Sequence, residues 1–236
     1  MTLISYINNI NTLHLIDDLL TIVNRYSFFN LHWKCKLLVD SVDEIDFLYP
    51  FIHHSDFLYT LYKNAYKIGQ FDIVKYLINK ELYKEPTYCW IDGIAIAGEN
   101  GHLDIVKYLY ERKIFMYPST IYNIFVMASQ SGHVDVVKYL VEKGENISID
   151  EDSTSLQWAA YKGKLDMVKY LHSIGQDVTA NNNFAIQWTS AFGFLEIVQF
   201  LVEHDADITA NNNFALRWAS KNKHPDVIQY LCKQIA

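Results

Sequence analysis

The sequence predicts an all-α repeat protein, a solenoid in which helix-turn-helix units stack on one another. A nine-residue phrase recurs at intervals of 30 to 32 residues, and a period in this range is typical of repeat architectures. Within each copy the apolar residues follow the period of an α-helix. Glycines stand where helices are expected to end, because a left-handed residue is often needed there. The six clear copies begin at Gly69, Gly101, Gly132, Gly163, Gly193 and Lys223.

The second helix of each unit is predicted from the recurring phrase itself. In the copy that begins at Gly101, the apolar residues between Ile105 and Leu109 form one broad helical face. Asp104 lies in the first turn, where a carboxylate meets the positive end of the helix dipole. Leu140 is the equivalent of Leu109 in the next copy, and we expect it to face the stacked core.

The first helix of each unit carries a pair of small residues at a fixed position, for example at residues 159–160 and 189–190. Small side chains at this point allow two antiparallel helices to approach each other closely. A short loop then leads into the next copy. Because one such unit cannot cover its own apolar face, it must stack on its neighbours.

The regular array is predicted for residues 57–236, as six clear repeats. Residues 1–56 follow the pattern less well and contain one degenerate repeat, recognised by a degraded copy of the phrase at residues 42–48. The end of a solenoid needs a different sequence, because its outermost layer has no neighbour on one side. We therefore predict a divergent N-terminal cap in residues 1–56.

Composition and charge exclude several classes of protein. Half of the 236 residues are apolar and 20% are charged, which fits a folded chain and not a disordered one. The net charge of −7 and the even spread of basic residues argue against nucleic-acid binding. No apolar stretch reaches the length of a membrane span, and the N-terminus does not resemble a signal peptide. With three distant cysteines as well, we expect a cytoplasmic protein.

No catalytic, cofactor or metal site is predicted. The glycine spacing at residues 93–98 fits a phosphate-binding loop, but Glu99 and Asn100 stand where Lys and Ser or Thr are needed. His102 and His133 lie one repeat apart, where we expect capping or local hydrogen bonds and not a shared metal ion. Lysines recur once per repeat and, with the acidic residues before them, predict a solvated outer face. These lysines are Lys75, Lys107, Lys138 and Lys169.

The recurring phrase resembles the ankyrin repeat. One copy reads Gly-His-Leu-Asp-Ile-Val-Lys-Tyr-Leu at residues 101–109, and a later one continues with Glu-His-Asp-Ala-Asp-Ile-Thr at residues 203–209. The resemblance covers residues 57–236 clearly and residues 29–56 weakly. It implies a scaffold without enzymatic activity that binds a protein partner through its concave surface. The alternative is a structural or assembly component, associated with a particle or with itself.

A narrower resemblance concerns the phrase Thr-Ala-Asn-Asn-Asn-Phe-Ala, which begins at Thr179 and again at Thr209. Residues 179–188 and 209–218 resemble the ankyrin proteins that giant DNA viruses of amoebae, such as mimivirus-like viruses, encode. This resemblance implies a viral protein in the host cytoplasm, with a host or viral protein as its partner. Separately, we expect the chain to be a monomer that binds neither nucleic acid nor membrane.

Two departures from the ankyrin pattern bear on how a partner would bind. The usual Thr-Pro-Leu-His start of the first helix is absent, and residues 184–187 and 214–217 read Phe-Ala-Ile-Gln and Phe-Ala-Leu-Arg. The period is also about three residues shorter than the usual length of about 33. Alignment on the glycine and the small pair places the loss between repeats, in the hairpin finger that often contacts partners in this family. We therefore expect short loops or vestigial hairpins.

Candidate binding residues lie in the three C-terminal repeats. Trp158, Trp188 and Trp218 share one repeat position, which allows two interpretations. They form either a stacked ladder in the core or a partly exposed stripe on the inner face that receives the anchors of a partner. The polar candidates, one residue earlier, are Gln157, Gln187 and Arg217.

Asn182 and Asn212 are further candidates, each in the middle of a run of three asparagines between repeats. Asparagine tolerates left-handed backbone geometry and caps helix N-termini, so a turn-and-cap role is one interpretation. A polar binding edge is the other.

Overall fold

The computed structural model describes residues 55–80, 89–114, 117–144 and 153–235. These residues form α-helices joined by turns, with no β-strand among them, so the all-α prediction is confirmed for this part of the chain. The chain divides into two compact units between Gly93 and Ile94. Of the predicted N-terminal cap, all but its last two residues lie outside the described ranges.

In the first unit, the described helices are α1 (Ser55–Ile68) and α2 (Phe71–Asn79), which pack against each other. A third helix, α3 (Cys89–Glu99), begins in this unit and ends in the second. Gly93 lets α3 approach the ring of Tyr66, because a Cβ atom at this position would lie only 2.6 Å from a ring carbon.

In the second unit, first and second helices of the repeats alternate along the chain. In the first repeat of this unit, the second helix is α4 (Leu103–Glu111). The next repeat contains α5 (Pro118–Ser131) and α6 (Val134–Glu142). The repeat after that contains α7 (Thr154–Tyr161) and α8 (Leu165–Ser173). The last two contain α9 (Ala180–Phe192) with α10 (Leu195–Glu203), and α11 (Ala210–Lys221) with α12 (Pro225–Ile235). The first helices α5, α7, α9 and α11 pack side by side, and α4, α6, α8, α10 and α12 form a second row. The predicted stacking of helix-turn-helix units is confirmed here.

The apolar core lies between the two rows of helices. One leucine of every second helix in this unit is fully buried, and Leu140 is among them, as predicted. The small pair Thr189 and Ser190 is buried as well. The Thr189 hydroxyl donates a hydrogen bond of 2.8 Å to the carbonyl of Ala185, so its burial is compensated. Among the described helices, none is both long and apolar enough to cross a membrane.

Left-handed residues follow the first helices, as predicted. Gly132 has a φ angle of 88°, and Lys223, which replaces the glycine in the last repeat, has a φ angle of 62°. The imidazole of His133 covers the backbone of Gly101, where a Cβ atom would collide with the ring. Both His102 and His133 occupy N-cap positions without a side-chain cap hydrogen bond. Of the two predicted roles, capping is therefore not observed, whereas local hydrogen bonding stays a prediction. The ring of His133 fills the space between the turns of two repeats.

Candidate binding surface

Seven aromatic side chains form one connected surface on the first helices of the three C-terminal repeats. On α9, Phe184, Trp188 and Phe192 follow one another at intervals of four residues, so they lie on one side of the helix. Ile186 and Ser190, on the other side, are buried in the core. We call the whole set the aromatic surface: Trp158 and Tyr161 on α7, Phe184, Trp188 and Phe192 on α9, and Phe214 and Trp218 on α11.

Ring contacts connect the aromatic surface from one repeat to the next. The ring centroid of Tyr161 lies 5.4 Å from that of Trp158 and 5.9 Å from that of Trp188. Trp188 in turn lies 5.7 Å from Phe214, which stacks on Trp218 at 5.4 Å. Aromatic pairs contribute about 0.5–1.5 kcal/mol each beyond burial. These contacts therefore stabilise the packing of α7, α9 and α11.

The aromatic surface is only partly covered by the rest of the protein. Trp158 is 37% exposed and Phe192 is 41% exposed, whereas Trp188 and Trp218 are half-buried. The two interpretations of the tryptophans, a stacked ladder and a partly exposed stripe, therefore each describe part of the arrangement. The rings do link neighbouring repeats, with Tyr161 between two of the tryptophans, but they also remain accessible to solvent. A contiguous exposed apolar area of this kind is a common mark of an interaction site.

Sequence reasoning missed Tyr161 and Phe192 because it followed a single position of the repeat. The signal was nevertheless present in the helical spacing. Tyr161 follows Trp158 by three residues and Phe192 follows Trp188 by four, which places each pair on one side of its helix.

The first helices in these repeats contain no Asp or Glu, although the chain as a whole has a net charge of −7. The acidic residues nearest to the starts of α9 and α11 are Asp177 and Asp207, in the loops just before these helices. The stretches without Asp or Glu are residues 153–165, 178–195 and 208–225. The Nζ atom of Lys221 lies 4.1 Å from the ring centre of Trp218, and that of Lys162 lies 5.5 Å from the ring centre of Tyr161. Cations therefore flank the aromatic surface on both α7 and α11.

Gln157 and Gln187 lie inside the structure, each with 6% of its surface exposed. Asn181 Nδ2 donates a hydrogen bond of 3.1 Å to Gln157 Oε1, and Asn211 Nδ2 donates one of 3.3 Å to Gln187 Oε1. The expectation that these two amides supply direct polar recognition does not fit their burial, because their oxygens bind the loop of the following repeat. Arg217, at the same position of the last repeat, is exposed.

The three asparagines within the first four residues of α9, and the three in α11, all adopt the left-handed conformation, so they form turns and the right-handed helix begins after them. Their φ angles lie between 52° and 61° at residues 181–183 and between 54° and 58° at residues 211–213. This conformation costs most residues about 1–2 kcal/mol each, but asparagine tolerates it. These angles confirm the predicted turn geometry, and the loops are short turns without strands. Asn182 and Asn212 are exposed in the middle of the turns, as a polar edge would require.

A side-chain oxygen in each loop also holds the loop of the next repeat. The backbone N–H of Asp207 donates a hydrogen bond of 2.8 Å to Asn183 Oδ1, and that of Asp177 donates one of 2.9 Å to Ser153 Oγ. The Asp207 carboxylate accepts hydrogen bonds from the hydroxyl and the backbone N–H of Thr209, and these bonds hold the pKa of Asp207 below its usual value. The loops therefore form a linked series along the repeats.

On the second helices, lysine and tyrosine side chains meet across repeats. Lys107 Nζ lies 5.4 Å from the ring centre of Tyr139, and Lys138 Nζ lies 5.4 Å from that of Tyr170. The two lysines are exposed, as predicted for the outer face, but they also cover tyrosines of the following repeat. Burial, and secondarily the negative charge of Glu111, raises the pKa of Tyr139.

Metal coordination finds no support in the part of the chain that the structure describes. Those residues include no group of three or more His, Cys, Asp or Glu side chains that could hold a metal ion. One histidine pair, His172 and His204, has ring centroids 4.4 Å apart. In both rings the Nδ1 atom faces a backbone carbonyl, that of Gln176 or Phe200. The pair is therefore a packing contact between α8 and α10.

Comparison with protein families identifies the repeat. A family model described as ankyrin repeats, in three copies, matches residues 94–182 and again residues 156–236, which together are more than half of the chain. No curated protein matches the chain. Within the matched region, a first helix, a left-handed turn residue and a second helix recur in register. The chain therefore belongs to the ankyrin repeat family.

Proposed function

We propose that this chain is a non-enzymatic scaffold that binds a protein partner on the aromatic surface. Ankyrin repeats typically mediate protein–protein interaction and generally have no catalytic activity. The observation that carries the proposal is a connected row of tryptophan, tyrosine and phenylalanine rings that remains partly exposed on the first helices. Rings that served only to stack the repeats would be expected to be more fully buried.

Exposed aromatic rings suit partner binding for a physical reason. Tryptophan and tyrosine offer a large apolar area and lose little conformational entropy when a partner covers them. A few such residues often carry most of the binding energy of an interface. Here Trp158 and Phe192 are the most exposed rings of the set, and the half-buried Trp188 is held by Tyr161 and Phe214. Rings that are already ordered reduce the entropy lost on binding.

Polar residues beside the aromatic surface would supply specificity. Asn182 and Asn212 are exposed in the left-handed turns, and Arg217 is exposed beside the last tryptophan. In this proposal Gln157 and Gln187 act indirectly. Their oxygens hold the first asparagine of the following turn and so keep the exposed asparagine in place.

The resemblance of residues 179–188 and 209–218 to ankyrin proteins of giant amoebal viruses supports a viral origin. In that setting the partner is a host or viral protein in the host cytoplasm, and the chain acts as a monomer. Size-exclusion chromatography with light scattering tests the oligomeric state. A mass near 27.5 kDa agrees with a monomer, whereas a larger stable assembly favours the alternative of a self-associating structural component.

Affinity purification from amoebal lysate tests the binding surface. We would compare the unchanged chain with the Trp158→Ala/Phe192→Ala double variant, which removes the two most exposed rings of the set. Tyr117→Ala is the matched control, because Tyr117 is 58% exposed but lies at the start of α5, outside the aromatic surface. Quantitative mass spectrometry should recover a partner with the unchanged chain and the control and lose it with the double variant. If every recovered protein binds all three equally, the aromatic surface is not the binding site.

A further inference from the structure

The charge around the aromatic surface is opposite in sign to that of the whole chain. Of the three stretches without Asp or Glu, residues 153–165 and 208–225 carry basic residues, and the middle one, residues 178–195, carries no charged residue. The basic residues are Lys162, Lys164, Arg217, Lys221 and Lys223. Since the whole chain has a net charge of −7, its negative charge lies outside these stretches. A partner that approaches the first helices therefore meets basic residues on both sides of an uncharged central helix, with Asp177 and Asp207 as the nearest acidic residues in the loops.

Two of these cations lie beside the rings, and a third precedes a tryptophan in the sequence. Lys221 is 4.1 Å from the ring centre of Trp218, and Lys162 is 5.5 Å from that of Tyr161. Arg217 precedes Trp218 and is exposed. The earlier repeats place a glutamine at the position of Arg217, and that glutamine binds an asparagine of the next loop. The arginine thus adds a charge where the preceding repeats have an internal amide.

We propose that the segment which docks on the aromatic surface is an acidic peptide that also carries apolar side chains. This inference rests on the proposed function and adds the chemical class of the partner. The apolar side chains of the segment cover the exposed rings of Trp158 and Phe192. Its Asp and Glu residues face the cations at Lys162, Arg217 and Lys221. Charges at the rim of an interface mainly set the association rate, the salt dependence and the choice of partner.

Single-stranded nucleic acid is the other class of ligand that combines aromatic stacking with basic side chains. Its affinity comes largely from many phosphate contacts along a positively charged groove. The acid-free stretches of this chain carry only five basic residues, and none lies on the central helix α9, so they offer no continuous track of cations for a phosphate backbone. A short acidic peptide needs only a few cations and gains most of its affinity from apolar burial. The observations therefore favour the peptide.

Selection from a displayed library of random peptides tests the inference. The baits are the full chain, the ring variant Trp158→Ala/Phe192→Ala, and the charge-reversal variant Lys162→Glu/Arg217→Glu/Lys221→Glu. A matched control, Lys107→Glu/Lys138→Glu/Lys169→Glu, makes the same change in net charge on the second helices. Circular dichroism checks that each bait is folded, and Phe192→Ala alone replaces the double variant if that variant unfolds.

The expected result is enrichment of peptides that combine Asp and Glu with large apolar residues. Their dissociation constants should rise about tenfold or more with the charge-reversal variant, because three exposed ion pairs are lost, and by much less with the control. Binding should also weaken as salt is added, because exposed charges are screened.

Three other outcomes overturn the inference in different ways. Neutral or basic peptides that still need the rings would refute the acidic partner but leave the proposed function intact. Peptides that bind the ring variant as tightly as the unchanged chain would refute the proposed function as well. Labelled oligouridylate and oligothymidylate serve as the nucleic-acid probes. Tight binding of either one that is lost in the ring variant would assign the surface to nucleic acid.

Discussion

The side-chain oxygen of Asn183 accepts a hydrogen bond of 2.8 Å from the backbone N–H of Asp207, 24 residues later in the next repeat. Asn183 is itself in the left-handed conformation, with a φ angle of 61°. One residue thus turns the chain in its own loop and holds the loop that follows. Ser153, with a φ angle of 51°, has the same relation to Asp177.

Substitution of Asn183 should separate these two roles. We expect Asn183→Ala to lower the free energy of unfolding by about 2 kcal/mol, because it loses one hydrogen bond and because alanine tolerates the left-handed region less well than asparagine does. Asn183→Gly keeps the backbone geometry accessible and should cost about 1 kcal/mol. Urea denaturation measures both. Equal losses for the two variants would mean that the left-handed backbone at residue 183 adds nothing to the cost of Asn183→Ala.

The fold could be predicted from the sequence because each second helix repeats the same apolar pattern. Positions such as Leu140 are buried for the same reason in every copy, so six copies reinforce one inference. The geometry of the loops could not be predicted in the same way. The role of Asn183 depends on the backbone of Asp207 in another repeat, and no local pattern contains that information.

The candidate site shows the same limit. A glutamine next to a tryptophan suits either surface recognition or an internal hydrogen bond, and Gln187 has the second role only because Asn211 reaches its oxygen. The tryptophan position was visible in the sequence. Its partial exposure depends on how Tyr161 and Phe214 pack around Trp188, which is a property of the assembled repeats.

Removal of Trp188 should destabilise the protein more than removal of Phe192. The ring of Trp188 contacts those of Tyr161, Phe184, Phe192 and Phe214. We expect Trp188→Ala to cost about 2–4 kcal/mol, near the lower end for a large aromatic ring since this one is only half-buried. Phe192→Ala, which removes a ring that is 41% exposed, should cost about 1 kcal/mol. Thermal unfolding compares them, and equal costs would mean that ring contacts between repeats add little to stability.

The phase of the repeat can be tested at Leu140. This residue is fully buried between the two rows of helices, so Leu140→Ala should lower the free energy of unfolding by about 2–5 kcal/mol. Glu142→Ala, two residues later and exposed on the same helix, is the control and should change it by less than about 0.5 kcal/mol. Chemical denaturation provides the comparison. A loss below half a kcal/mol at Leu140 would contradict the phase.

Stability should fall at alkaline pH because of a recurring tyrosine on the second helices. In three repeats the pKa of this tyrosine is raised, mainly by burial and secondly by the negative charge of a glutamate. The pairs are Tyr139 with Glu111, Tyr170 with Glu142, and Tyr230 with Glu203. The folded state therefore keeps the phenolic protons to higher pH than the unfolded state does. This contribution to stability is fully present below the ordinary tyrosine pKa of about 10 and is lost as the pH rises through the raised values.

Tyr139→Phe provides the sharpest test of this pH dependence. The hydroxyl of Tyr139 is buried without a hydrogen-bond partner among the described residues, so the variant should be at least as stable as the unchanged chain at neutral pH. Urea midpoints measured from pH 8 to pH 11 should fall less steeply for the variant, because one phenol no longer favours the unfolded state when it ionises. Tyr117→Phe removes an exposed phenol and should leave the slope unchanged. If the curve for Tyr139→Phe runs parallel to that of the unchanged chain, ionisation of Tyr139 does not contribute to the alkaline loss of stability.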